Sequence, residues 1–393
     1  MNIGKSGHGM DYLKRYLIEE EIEEYQEHHI SRREMMRRVL IITGSVPMTA
    51  SILLAAGCGT SATPTTAAVA PTAAASTAAS TAATAATTAT TAGRATITTA
   101  AATTATARAT ASAISGGATA TRTIGAAATA TRAGTAAATA TRAGSPTATP
   151  SGITIPPTDP AIDAGAVQFP GQGGATLLGY LSSPKAATKA PGILVIHENR
   201  GLTEHIKDVT RRYAKSGFVA LAVDLISRQG GTDTIADPAQ IPNILGQSAD
   251  REQLVQDMIS AVAFLKTQAK FAGPKAGVVG FCFGGGMVWL LATRSTDIVA
   301  ANPYYGPPPD PIDTVQNIAG PVLAFYGGED SRINQNIPAI EAAMKQYGKS
   351  FTSKIYPGAN HAFNNDTGQA YNEAASKDAY ALSVNFFNTN LKS

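Results

Sequence analysis

A cysteine, an aspartate and a histidine occur in that order along the chain, each just beyond an apolar run. Cys282 follows GVVGF inside VVGFCFGGGM, Asp330 follows PVLAFYGGE, and His361 follows SKIYPGAN. A thiol beside a general base becomes a nucleophilic thiolate, and a carboxylate behind that base fixes its tautomer and steadies the imidazolium that forms. Gly280 and Gly284 frame Cys282 in a G-x-C-x-G pattern, which supplies the missing bulk that a strained strand-to-helix turn needs around a nucleophile. A helix starting there aims its positive end and free N–H groups at a developing oxyanion, and the same field lowers a thiol pKa. A free cysteine is often only a small buried hydrophobe. The glycine frame and the two downstream partners weigh against that reading, and His361 is the only histidine after Cys282. Other polar groups follow apolar runs: His197, Glu198 and Asn199 after GILVI, Asp224 and then Arg228 after FVALAV.

The elements that must position these residues are short apolar runs alternating with amphipathic stretches. VQF and TLLGYLSS open the series, followed by GILVIHE, FVALAVDL, AGVVGFC, IVAANPYYG, PVLAFYGG and FTSKIYPG. Between them lie EHIKDVTRRYAKSG, DREQLVQDMISAVAFLKTQ, GGGMVWLLATRS, IPAIEAAMKQYG and KDAYALSVNFFNTNLK. Continuous apolar strands separated by helices predict an α/β fold with a mostly parallel sheet covered on both faces, and function gathers at the carboxyl ends of such strands. Nucleophile, acid and histidine in this chain order match the α/β-hydrolase fold.

From about Val167 to Leu391 the chain resembles the dienelactone hydrolase (carboxymethylenebutenolidase) family. The resemblance is carried by HENRGL at His197, AVDLISRQGGT at Ala222, VGFCFGGGM at Val279, YGGEDSRI at Tyr326 and GANHAF at Gly358. It implies Cys282 as nucleophile, Asp330 as the acid and His361 as the base. It also implies that Glu198 contacts the resting thiol, with the backbone N–H groups of Phe283 and Asn199 as oxyanion hole. Two arginines of the family bind a substrate carboxylate; Arg228 matches one, and Asn365 stands where the second is expected. Arg200 and Arg332 lie near other strand ends and could compensate. The expected activity is cleavage of a small ester or lactone through an acyl-thioenzyme, without metal or organic cofactor; no C-x-x-C or H-E-x-x-H pattern occurs. The alternatives are a broader carboxylesterase acting on neutral small esters, and a non-catalytic surface module.

Composition divides the rest. No Asp, Glu or aromatic residue occurs between Glu34 and Asp159, and residues 59–158 are mostly Ala and Thr. Such a tract has little to bury against its ordering entropy and reads as a disordered linker. Residues 159–393 then form one domain carrying 19 Lys and Arg against 20 Asp and Glu, so the positive balance of the chain resides in the first 158 residues and nothing predicts a nucleic-acid partner. Residues 1–58 resemble a twin-arginine lipoprotein signal: Ser31, Arg32 and Arg33, an apolar run, then Leu54, Ala55, Ala56, Gly57 and Cys58. Lipidation at Cys58, or an uncleaved signal anchor, would tether the exported domain to the outer face of the cytoplasmic membrane. The acidic run IEEEIEEYQEHH from Ile18 is expected to form a solvated helix, and GGTDTIADPAQIPNILGQ after Arg228 is a candidate lid.

Overall fold

The computed structural model describes residues 12–55, 154–247 and 251–391. Most of the predicted linker, and Cys58, lie outside the described residues. In chain order the elements are α1 (Tyr12–Gln26), α2 (Arg32–Thr43), α3 (Val46–Ala55), β1 (Ile162–Pro170), β2 (Thr176–Pro184), β3 (Ala190–Ile196), α4 (Glu204–Lys215), β4 (Val219–Asp224), α5 (Ile241–Gln247), α6 (Arg251–Lys266), β5 (Phe271–Phe281), α7 (Phe283–Arg294), β6 (Ile298–Tyr304), β7 (Val322–Gly327), α8 (Ser331–Asn334), α9 (Ile337–Gln346), β8 (Phe351–Tyr356) and α10 (Glu373–Leu391).

The strands make one sheet in the order β1-β2-β4-β3-β5-β6-β7-β8. β1 and β2 pair antiparallel, β2 runs antiparallel to β4, and β3 to β8 are mutually parallel. The central strands are apolar along their whole length because helices cover both faces: Ile193 to Ile196 and Ala220 to Val223 are fully buried. α4 is amphipathic and buries Ile206, Val209 and Tyr213, whereas α7 is apolar all round and buries Met287, Val288, Trp289 and Leu291. This is the mostly parallel α/β architecture expected from the alternation of runs, and it brings the ends of β3, β5 and β7 to one edge of the sheet.

The N-terminal region departs from expectation. α1 forms where the acidic run predicts a helix, but that helix is not solvated: Glu20 and Glu21 are buried with Tyr16 and Leu17. Sequence charge alone suggests exposure, yet basic side chains distant in the chain meet these carboxylates. α2 begins at the twin arginine, with the Ser31 hydroxyl accepting from the Glu34 N–H at 3.2 Å, and ends at Gly44 in the left-handed region. Arg38 pairs with Glu21, Glu24 and Glu34 and ties α2 to α1, while Arg37 reaches Asp237. No helix among the described residues is long and apolar enough to cross a membrane. The segment after Arg228 folds into short turns and α5, against which α1 and α2 pack. Residues 154–155, at the end of the predicted linker, dock on α4 through the Thr154 and Ile155 N–H groups, which donate to Asp208.

Candidate active site

Cys282 lies between the last residue of β5 and the first of α7, with φ 55° and ψ −120°. A non-glycine residue holds this conformation only where its surroundings dictate it. The sheet supplies that constraint: the Cys282 N–H donates to the Tyr304 carbonyl at the end of β6, at 3.1 Å. The glycine frame is steric. A Cβ on Gly280 would come within 2.3 Å of the Gly284 carbonyl, and one on Gly284 within 2.4 Å of the His197 carbonyl. The turn therefore closes against its own helix and against the end of β3 only because both positions lack side chains.

Asp330 follows β7 and caps α8, its Oδ1 accepting from the Ile333 N–H at 3.0 Å. Its Oδ2 lies 2.6 Å from His361 Nδ1, which fixes the imidazole with Nε2 pointing away from Asp330. Nε2 is 3.1 Å from Glu20 Oε1, and the Cys282 thiol donates to that same oxygen at 3.3 Å. The reactive atoms of Cys282, His361 and Glu20 lie within 4.8 Å of one another. Thus Cys282, Asp330 and His361 come together, and Glu20 of α1 lies against both the thiol and the imidazole.

The same donors form two overlapping groups that could ligate a metal ion, Glu20 with Cys282 and His361, and Glu23 with Asp330 and His361. A thiolate, imidazole and carboxylate set suits a zinc-like ion. Each group needs a residue of α1.

Charge follows burial and neighbours. Burial disfavours the imidazolium, but the Glu20 and Asp330 carboxylates outweigh it and hold His361 well above the ordinary histidine value. Burial and then the Glu20 carboxylate push the Cys282 thiol up to about 11. Burial also opposes the Glu20 carboxylate, yet His361 and Arg332 keep it well below the usual range. With α1 docked, its Glu20 carboxylate shifts both groups toward their protonated forms.

Glu198 lines the cleft beside Cys282 and is buried, which raises its carboxyl above the ordinary value. Asn365, at the position where the family resemblance calls for an arginine, donates from Nδ2 to Glu198 Oε2 at 2.8 Å. It therefore positions an acid. His197 locks the strand end that carries Glu198: its Nε2 accepts from the Leu225 N–H at 3.0 Å, so Nδ1–H donates to the Glu198 carbonyl at 2.6 Å. Asn199 is buried and lines the same cleft, and Phe283 opens α7, where first-turn N–H groups lack helical acceptors.

Arg228 is not brought to this cleft. Its guanidinium makes a two-pronged pair with Asp257 of α6, at 2.9 and 2.7 Å, and donates to the Gln172 carbonyl. The side chain expected to bind a substrate carboxylate is instead held by a buried aspartate on α6. Arg332 and Arg200 do reach the site region, both occupied by α1. Tyr305 is a further member that sequence reasoning misses. It has φ 37°, and its ring stands edge-on to His361 at 4.9 Å between centroids. The tandem tyrosines of NPYYG after β6 are the only sequence trace of it.

The cleft beside Cys282 measures about 340 Å³ and has Glu20, Glu24 and His29 on one wall and Glu198, Asn199 and Arg200 on another. A larger hollow of about 500 Å³ lies between α4 and α10 and includes none of Cys282, Asp330 or His361.

A profile described as the dienelactone hydrolase family matches residues 177–391. A putative carboxymethylenebutenolidase of Methylorubrum extorquens is 34% identical over 234 residues, covering 57% of this chain and 80% of the relative. One of Saccharolobus solfataricus is 33% identical over 241 residues, covering 53% and 91%. The crystal structure of a putative dienelactone hydrolase from Klebsiella pneumoniae superposes with a TM-score of 0.54 at 29% identity, covering 58% of this chain and 99% of that one.

Proposed function

Since this chain belongs to the dienelactone hydrolase family and is a hydrolase, we propose that it cleaves a small ester or lactone through an acyl-thioenzyme formed on Cys282. The observation that carries this reading is the relay from Asp330 to His361 to the thiol: Asp330 holds Nδ1 at 2.6 Å, and Nε2 shares one oxygen neighbour with Sγ, on a turn held in a strained conformation.

His361 takes the thiol proton, and the Cys282 thiolate attacks the carbonyl carbon to form a C–S bond. The oxyanion falls to the Phe283 and Asn199 N–H groups. As the tetrahedral intermediate collapses, the C–O bond to the leaving alkoxide breaks and His361 returns its proton to that oxygen. His361 then deprotonates a water whose oxygen attacks the thioester carbon; the C–S bond breaks and releases the acid. Glu198, buried and held by Asn365, faces the resting thiol from the β3 side. Export and tethering through Cys58 complete the proposal, with the domain working outside the cytoplasmic membrane.

Iodoacetamide labelling with parallel hydrolysis assays tests it. Alkylation at Cys282 is expected to abolish hydrolysis, and Cys282→Ala is expected to lower kcat by about 10³-fold or more. An unchanged rate in Cys282→Ala would refute the thiol mechanism.

A further inference from the structure

α1 is an acidic helix seated on catalytic groups. Tyr16 and Glu20, one turn apart on the same face, meet Cys282 together: the Tyr16 hydroxyl is hydrogen-bonded to Sγ at 3.4 Å, and Glu20 Oε1 takes the thiol hydrogen at 3.3 Å. Glu20 Oε2 meets Arg332 Nη2 at 2.6 Å, and the same guanidinium reaches Glu23 at 2.6 and 2.8 Å and lies 4.9 Å over the Tyr16 ring. Arg200 reaches Glu24 at 2.7 Å. Among the described residues, the ion pairs of Arg332 and of Arg200 all run to α1.

A buried carboxylate needs partners that offset its desolvation. Glu20 draws them from the nucleophile, the base and Arg332. Its Oε1 fills the space between Sγ and Nε2, where a scissile ester must bind, so helix and substrate exclude each other. Only 3% of Cys282 is exposed.

We propose that in the unprocessed chain α1 is a tethered competitor for the catalytic cleft, with Glu20 standing where an anionic acyl group binds and Arg332 reading the negative charge; hydrolysis requires α1 to leave, by undocking or by cleavage before Cys58. The proposal rests on Cys282 being the nucleophile. The Ser31-Arg32-Arg33 motif starts α2, which Arg38 ties to α1, so whatever engages that motif also acts on the occupant of the cleft.

The test uses the full chain with two substitutions that displace α1 by different routes. Glu20→Ala removes the contact in the cleft. Leu17→Asp places a charge at a buried position of α1 whose side chain packs against Gly246 of α5. In each, hydrolysis of p-nitrophenyl acetate and the rate of iodoacetamide alkylation are followed. If only a fraction of molecules is open, apparent KM falls and alkylation accelerates by one common factor, roughly tenfold or more, with kcat unaltered. In the Leu17→Asp chain, Arg332→Gln is expected to raise KM for mono-p-nitrophenyl succinate about tenfold more than KM for p-nitrophenyl acetate. Unchanged KM and alkylation in both displacement variants would overturn the proposal. So would a fall of kcat in Glu20→Ala, which would make Glu20 part of the machinery, or an equal effect of Arg332→Gln on both esters. Adding Cys282→Ala to the Leu17→Asp chain separates the two readings. Hydrolysis that survives there refutes the thiol nucleophile, whereas its loss upholds that nucleophile, and KM and alkylation then decide whether α1 competes for the cleft.

Discussion

Asp330 and Glu20 approach His361 from opposite sides, one at each ring nitrogen, and they are held by different parts of the molecule. Asp330 belongs to the sheet. It follows β7, caps α8 through the Ile333 N–H, and its own N–H donates to the Gly327 carbonyl at 3.2 Å. Glu20 is carried by a helix joined to the rest of the fold through side chains, buried Leu13, Leu17 and Ile18 and ion pairs to Arg332 and Arg200. Removing Asp330 from the ring requires melting the turn after β7; removing Glu20 requires only that α1 move. Two carboxylates on one imidazole can thus do opposite work, the first orienting the base and the second occupying it. Attachment distinguishes them better than distance does.

The largest expected effect breaks the fixed side. Asp330→Asn removes the acceptor that sets the tautomer and is expected to lower kcat by about 10³- to 10⁴-fold with little change in KM, measured by steady-state hydrolysis. The movable side has a pH signature of intermediate size. Glu20 and Glu23 of α1, Glu27 just after it, Glu198, Asp330 and Cys282 all act on His361. Glu20 and Asp330 both raise the His361 pKa, so the share that Glu20 contributes to docking is present while the imidazole is protonated and is lost as pH rises through the docked value. Alkylation of the full chain should therefore accelerate with alkaline pH, and Glu20→Ala should move the acid limb of kcat/KM toward lower pH. An identical limb in both chains would deny that Glu20 acts on His361. The smallest kinetic effect concerns Arg228. Because it pairs with Asp257 outside the cleft, Arg228→Ala should leave KM for charged and neutral esters unchanged and lower stability by about 1–2 kcal/mol in chemical denaturation. A KM increase confined to anionic esters would restore Arg228 to substrate binding.

What can be read from sequence is local. The central strands announce themselves as apolar runs, and the steric demand of the turn at Cys282 is written in Gly280 and Gly284. Asp330 and His361 are legible as polar residues just past strands. Pairings across long separations are not. The acidic run of α1 has the composition of a solvated helix, and its burial depends on Arg332 and Arg200, far along the chain. Arg228 looks available in the sequence because nothing near it marks Asp257 as its partner. Asn365 reads as a missing arginine in the sequence, and only the fold puts Glu198 beside it. Side-chain complementarity between distant segments leaves no period in either segment.

The central claim is that Cys282 carries the acyl group. Rapid acid quench of the Leu17→Asp chain during p-nitrophenyl acetate turnover, followed by peptide mass spectrometry, tests it directly. The expected result is an acetyl group on the peptide containing Cys282, labile to neutral hydroxylamine and absent from Cys282→Ala. Turnover with an unmodified Cys282 peptide and the acetyl group on another side chain would contradict it.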